Sequence, residues 1–249
     1  MKIGVVSQTF RDKDIPTVFE YAKEAKLDGI EWSANENHIL IGDSERSALV
    51  KRLSEKSGIE IFSLASYCYM YDFCECVKTL ETARELSAPV IRLWAGKQGS
   101  AACPTEEYDL IVENTQKMAR IAREHSITLA FEYHPNTLTD SADSAIELVK
   151  KINCENVGLY WQVRPDITFE ENKAAFEKVK PYLLGNIHLS NYDEEKGYMP
   201  LEEISSDLRG YFRDRGVGNN LMIEFVKDAS CASLVADANT LRKVIAKRF

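Results

Sequence analysis

Histidine is scarce in this chain, with 4 in 249 residues, and the charge balance is acidic at a formal net charge of −8. An acidic surface repels phosphate backbones and anionic lipid headgroups, so neither nucleic acid nor a membrane surface is expected as a partner. No apolar run approaches the roughly 20 residues that a bilayer-spanning helix requires. The opening "MKIGVVSQTF" reads directly as a strand, with no apolar signal region ahead of a small-residue cleavage site. A soluble cytoplasmic protein is the expectation. Neither G-x-G-x-x-G nor a phosphate-cradling P-loop is present, which removes the usual mark of a doubly wound nucleotide-binding sheet. Of the 6 cysteines, Cys68, Cys74 and Cys76 cluster in "CYMYDFCEC", at a spacing that suits no zinc site. They read as reduced thiols around the start of a helix.

What the chain does have is one plan repeated. Short apolar stretches ("KIGVVSQTF", "DGIEWSA", "IEIFSLASY", "PVIRLWAG", "ITLAFEYH", "VGLYWQVR", "LLGNIHLSN", "LMIEFVKD") alternate with segments whose apolar residues recur at three- and four-residue spacing. Ser44, Thr105 and Ser141 stand as capping residue types at helix starts. Eight strand–helix units in about 250 residues are the size of a (β/α)₈ TIM barrel, an α/β fold. No linker or composition shift divides the chain, so residues 1–249 are expected to form one domain.

In such a barrel, chemistry sits at the C-terminal ends of the strands. Side chains alternate along a strand, so each can be phased. In "ITLAFEYHPN", Thr128, Ala130, Glu132 and His134 share the inner face. The same rule turns Glu31, Arg92, Trp94, Tyr160, Gln162, Arg164, Asn186, His188, Met222 and Glu224 inward. A lone glutamate near a strand end reads as a solvated loop residue. Glu132, Gln162, His188 and Glu224 instead converge from four successive strands. Two buried carboxylates so close repel unless a cation neutralises them. Two carboxylates, an imidazole and an amide oxygen suit Mn²⁺, Mg²⁺, Co²⁺ or Zn²⁺.

At "GIEW…NHI", "IRLWAG", "LAFEYHPNTLTD", "IHLSNYD" and "MIEF" the chain resembles the xylose isomerase-like barrel superfamily, over essentially its whole length. That group includes sugar (phosphate) isomerases and epimerases, inosose dehydratases and the AP endonuclease 2 family. The resemblance to its ketose epimerase branch implies Glu132, His188 and Glu224 as three of four ligands to a divalent metal. The fourth position departs from the pattern: where an Asp is usual the chain reads "YWQVRP", with Gln162 there and Pro165 at a following His position. An Arg usual after the seventh strand is absent from "LSNYDEEKG". Arg164, Lys97, Gln98 and His38 are candidates for the missing substrate contacts, and His38, His134, Trp94 and Tyr67 for the pocket wall.

The resemblance implies a metal-dependent isomerase or epimerase acting on a sugar or polyol-like small molecule. Metal would acidify a C–H beside a carbonyl, and Glu132 and Glu224 would carry the proton through an enediolate. A dehydratase of inosose type shares that first step. A barrel that binds a sugar-like ligand without turnover is the third reading, motivated by Gln162. The AP endonuclease reading is the weakest, since its zinc cluster requires many histidines and its substrate a basic groove. Tyr69, Tyr71 and Phe73 fall in one loop and read as a lid or as a homo-oligomer interface.

Overall fold

The computed structural model describes residues 1–212 and 219–246. Eight parallel strands close into a barrel: β1 (Ile3–Val6), β2 (Gly29–Ser33), β3 (Glu60–Ala65), β4 (Val90–Leu93), β5 (Thr128–Glu132), β6 (Val157–Gln162), β7 (Leu183–Leu189) and β8 (Leu221–Ile223). Each strand pairs with the next, and β8 closes on β1 through Ile3 opposite Leu221. Outside run α1 (Ile15–Glu24), α2 (Ser44–Ser57), α3 (Phe73–Leu86), α4 (Thr105–Glu124), α5 (Ala142–Ile152), α6 (Phe169–Val179), α7 (Ser205–Phe212) and α8 (Cys231–Ala246). The sequence-expected ends of the last two helices, at 213–216 and 247–249, lie outside the described residues. The fold is the expected (β/α)₈ TIM barrel.

The outward strand residues Ile30, Trp32, Ile91, Leu129, Phe131, Leu159 and Ile187 are buried under the helices. Inside the barrel, Val6, Phe62 and Met222 form a separate small apolar cluster. Polar residues, among them Glu31, Ser63, Arg92, Glu132, Asn186, His188 and Glu224, are also buried. The alternation rule therefore divides the strands into an apolar coat and a charged lining.

Helix starts differ from expectation by one residue in two places. Asp43, not Ser44, caps α2, its carboxylate accepting from the Arg46 N–H, and α4 starts after Pro104 with Thr105 already helical. Ser141 caps α5 as expected, in a reciprocal capping box with Ser144. The first strand ends at Val6 and Ser7–Phe10 forms a 3₁₀ turn. Cys68, Met70 and Cys76 pack their sulfurs 3.6–3.8 Å apart in the core, all cysteines are free, and Cys74 is exposed. Tyr71 and Phe73 are partly buried against the core, with the Tyr71 hydroxyl donating to Glu107 at 2.5 Å. Among the described residues no helix is long and apolar enough to cross a membrane.

Candidate active site

At the C-terminal mouth of the barrel lies a cavity of about 170 Å³, lined by Val6, Gln8, Ser33, Tyr67, Arg92, Trp94, Glu132, His134, Gln162, Glu224 and Phe225. Glu132 is the last residue of β5, and Glu224 follows the last residue of β8. His188 reaches the same point from β7, which pairs with β8 through Met222 opposite His188. One ligating atom from each of Glu132, His188 and Glu224 lies within 4.8 Å of the other two. His188 Nδ1 stands 3.4 Å from Glu132 Oε1 and 3.4 Å from Glu224 Oε2. That nitrogen is buried and makes no hydrogen bond. An orphaned imidazole nitrogen facing two carboxylate oxygens is a donor set that fits a divalent cation.

The other half of Glu132 and of His188 is tied to the protein. The second oxygen of Glu132 accepts from Arg92 Nη1, while Arg92 Nη2 donates to the Ser66 carbonyl at 3.1 Å. Nε2 of His188 stands 2.8 Å from Oε1 of Glu31, a carboxylate with no solvent exposure. Ser63 Oγ and Asn186 Nδ2 donate to the other Glu31 oxygen at 2.6 and 3.1 Å. Burial alone would raise these carboxyls. For Glu31, the charge and hydrogen bond of His188, with Arg92 and Ser63, more than offset it and bring the group to about 2. Glu132 is likewise lowered against its burial, mainly by Arg92. Burial would lower His188, but the charges of Glu31 and Glu224 outweigh it and raise the imidazole well above its ordinary value.

Gln162 lines the cavity with its Nε2 donating to the Tyr133 carbonyl at 3.0 Å, which leaves the amide oxygen as the unengaged end. His134 Nδ1 is 2.7 Å from the Pro135 carbonyl, so that nitrogen carries the proton and Nε2 is the basic end. The His134 ring packs on Trp94 at 4.4 Å, and Tyr67 stacks with Trp94 at 6.3 Å. Phe225, immediately after Glu224, holds a left-handed φ of 59°, kept there by its N–H donating to Thr9 Oγ1 at 2.9 Å and by stacking on Tyr198.

Four sequence-derived positions are not in the cavity lining, and one of them, Gln98, donates its Nε2 to Glu107 at 3.2 Å instead. Arg164 lies beyond the end of β6, where alternation no longer governs, and pairs with Asp166 and with the Asp140 carbonyl at 2.6 Å. The Lys97 ammonium sits over the Tyr69 ring at 4.3 Å. His38 is buried two hydrogen bonds behind the wall. Its Nδ1 is 3.0 Å from Ser7 Oγ and from Asn35 Nδ2, and Asn35 in turn donates to the lining residue Gln8. Burial pushes His38 down to about 4, so it is neutral. Arg92 and Glu31 had the right phase in the sequence, but their partners lie 40 and 157 residues away and could not be read locally.

Residues 19–226 match the family model of the xylose isomerase-like TIM barrel. The chain belongs to that family. It is 25% identical to a 3-dehydroshikimate dehydratase from Bacillus anthracis over 167 residues, which are 63% of this chain and 60% of the relative's length. The crystal structure of the probable 3-DHS dehydratase of petrobactin synthesis from Bacillus anthracis superposes over 100% of both chains, with a TM-score of 0.77 at 20% identity. A D-psicose 3-epimerase solved in the presence of D-fructose superposes with a TM-score of 0.72 at 19% identity, over 99% of this chain and 100% of that one. The family is one of enzymes, and both dehydration and epimerisation occur among the relatives.

Proposed function

We propose that this protein is a divalent-metal-dependent enzyme that removes a proton from the carbon beside a carbonyl of a small polyhydroxylated ketone, and that the outcome is dehydration. The observation that carries the reading is His188 Nδ1, buried and unbonded between Glu132 Oε1 and Glu224 Oε2. Glu132, His188 and Glu224 would hold the ion, with the Gln162 amide oxygen beside them. A divalent ion there supplies a Lewis acid that polarises the carbonyl and acidifies the adjacent C–H. Glu132 is committed to Arg92 and is a weak base for that reason. Glu224, which has no arginine partner among the described residues, takes the proton. The electron pair moves onto the carbonyl oxygen, then expels the β-hydroxyl, which takes up the proton held by Glu224 and leaves as water, while His134 Nε2 accepts from a substrate hydroxyl. Trp94 and Tyr67 pack on the C–H face of the ring.

The sequence places an epimerase first. The likeness to a 3-dehydroshikimate dehydratase supports putting dehydration first, and the positive charge of Arg92 in the cavity wall would suit a substrate bearing a carboxylate. A 3-dehydroshikimate, the compound named for the Bacillus anthracis relative, is a cyclic hydroxyketone with a carboxylate. The second reading is epimerisation of a ketose, which the structural likeness to a D-psicose 3-epimerase supports and which needs the same first proton transfer.

The test is incubation with Mn²⁺ in D₂O, separately with 3-dehydroshikimate and with a panel of ketohexoses. An aromatic product from the first, at a rate lowered about 100-fold or more in Glu224→Gln, supports dehydration. Deuterium in an epimerised ketose, with no dehydration, establishes the second reading. Ligand binding without exchange into any substrate returns the protein to the non-catalytic class.

A further inference from the structure

An imidazole that ligates through one nitrogen is aimed by what the other nitrogen bonds. In His188 that other atom is Nε2, and its partner is Glu31 Oε1 at 2.8 Å. The contact joins β2 to β7 across the barrel interior, and neither side chain has more than 1% exposure. Glu31 itself has little freedom. Its remaining oxygen accepts from Ser63 Oγ and Asn186 Nδ2, and Asn186 Nδ2 also lies 3.2 Å from the Tyr160 hydroxyl. Tyr160 meets the His188 ring edge-on at 5.3 Å. Three residues from three strands, Ser63, Asn186 and Tyr160, therefore fix one carboxylate, and that carboxylate fixes one ring.

We infer that Glu31 is the positioning residue of the proposed metal centre: it holds His188 as the Nε2–H tautomer, so that the Nδ1 lone pair is the ligand. The inference rests on the metal-dependent reading above. An ionised carboxylate only accepts, so Nε2 must carry the hydrogen. The lone pair then falls on Nδ1, the atom that faces Glu132 and Glu224. Glu31 also completes a charge balance. Three carboxylates, Glu31, Glu132 and Glu224, stand against Arg92 and a divalent ion, and the sum is zero with His188 neutral.

The consequence of removing the charge follows from the donors around it. In Glu31→Gln, Ser63 and Asn186 hold the amide oxygen, and the amide NH₂ turns toward His188. The ring must then accept at Nε2 and carry its proton at Nδ1, where the ion would bind. In Glu31→Asp the charge stays, but the carboxylate is one methylene too short to keep its bond to His188.

The experiment is Mn²⁺ titration of wild type, His188→Ala, Glu31→Gln and Glu31→Asp, with thermal melts to establish that each is folded. Long-range ¹H–¹⁵N spectra of the Zn²⁺-loaded proteins report the tautomer directly. Expected are Mn²⁺ affinity about 10- to 100-fold lower in Glu31→Gln, a smaller loss in Glu31→Asp, and an Nε2–H signature at His188 in wild type. Wild-type affinity in both Glu31 variants, with His188→Ala defective, would overturn the positioning role while leaving the metal centre in place. No Mn²⁺ binding in wild type, or undiminished binding in His188→Ala, would overturn the metal reading beneath it. If Glu31→Gln does not fold, Glu31→Asp and the wild-type tautomer decide the question.

Discussion

If the protein is the proposed dehydratase, Arg92 is the residue on which substrate choice turns. Burial would lower its guanidinium, but Glu132 and Glu31 hold it charged, and its fork spans Glu132 and the Ser66 carbonyl. A lysine there keeps the charge but cannot bond both partners at once. Arg92→Lys is expected to weaken binding of a carboxylated hydroxyketone about tenfold, while a neutral ketose of similar size changes less than about twofold, as read by calorimetry. Equal losses for both would remove the carboxylate role. At this scale the sequence was legible wherever alternation held. Glu132, His188 and Glu224 sit where phase placed them, and Trp94, Tyr67, His134 and Gln162 line the cavity. Arg164, Lys97, Gln98 and His38 lie outside the cavity lining, because loop residues follow no period.

Elements set the site by their ends and by the room they leave one another. β7 carries Gly185, where a Cβ would come within 2.0 Å of the Tyr160 ring on β6. That ring buttresses Asn186 and His188, so the missing side chain at 185 is part of the site's support. Gly185→Ala is expected to cost about 1–3 kcal/mol in denaturant unfolding and to lower Mn²⁺ affinity as well. A stability loss with unchanged Mn²⁺ affinity would separate Tyr160 from the metal centre. All eight strands and eight helices were visible as periodicity, and the errors lie at their boundaries. "SQTF" continues the alternation of β1, yet Ser7 turns away to accept the Ser33 N–H at 2.8 Å, a contact 26 residues distant. Asp43 and Ser44 are both capping types, and only the fold selects between them.

The whole barrel carries a pH dependence from one buried acid far from the cavity lining. Asp237 in α8 accepts the Leu201 N–H at 2.9 Å, and burial pushes its carboxyl up to about 6 from an ordinary 3.8. A raised acid binds its proton more tightly folded than unfolded. Its contribution is therefore full below pH 4 and lost as pH rises from about 4 to about 6. Asp237→Asn keeps the acceptor without the charge. It is expected to gain on the order of 1–2 kcal/mol at pH 7 and almost nothing at pH 4, as read by paired thermal melts. A gain that does not vary with pH would contradict that origin. Barrel closure was legible from the count of units, but the interior pairings of Glu31 with His188 and of Arg92 with Glu132 exist only once the barrel closes.

Barrel closure brings the proposed ligands of the metal centre together from the ends of β5, β7 and β8. The most direct test is metal content by mass spectrometry after Mn²⁺ loading and removal of free ion, with Glu132→Ala and His188→Ala beside wild type. About one ion per wild-type chain and little in either variant is expected. Wild type without metal, or variants that retain it, would rule out a metal centre at these residues.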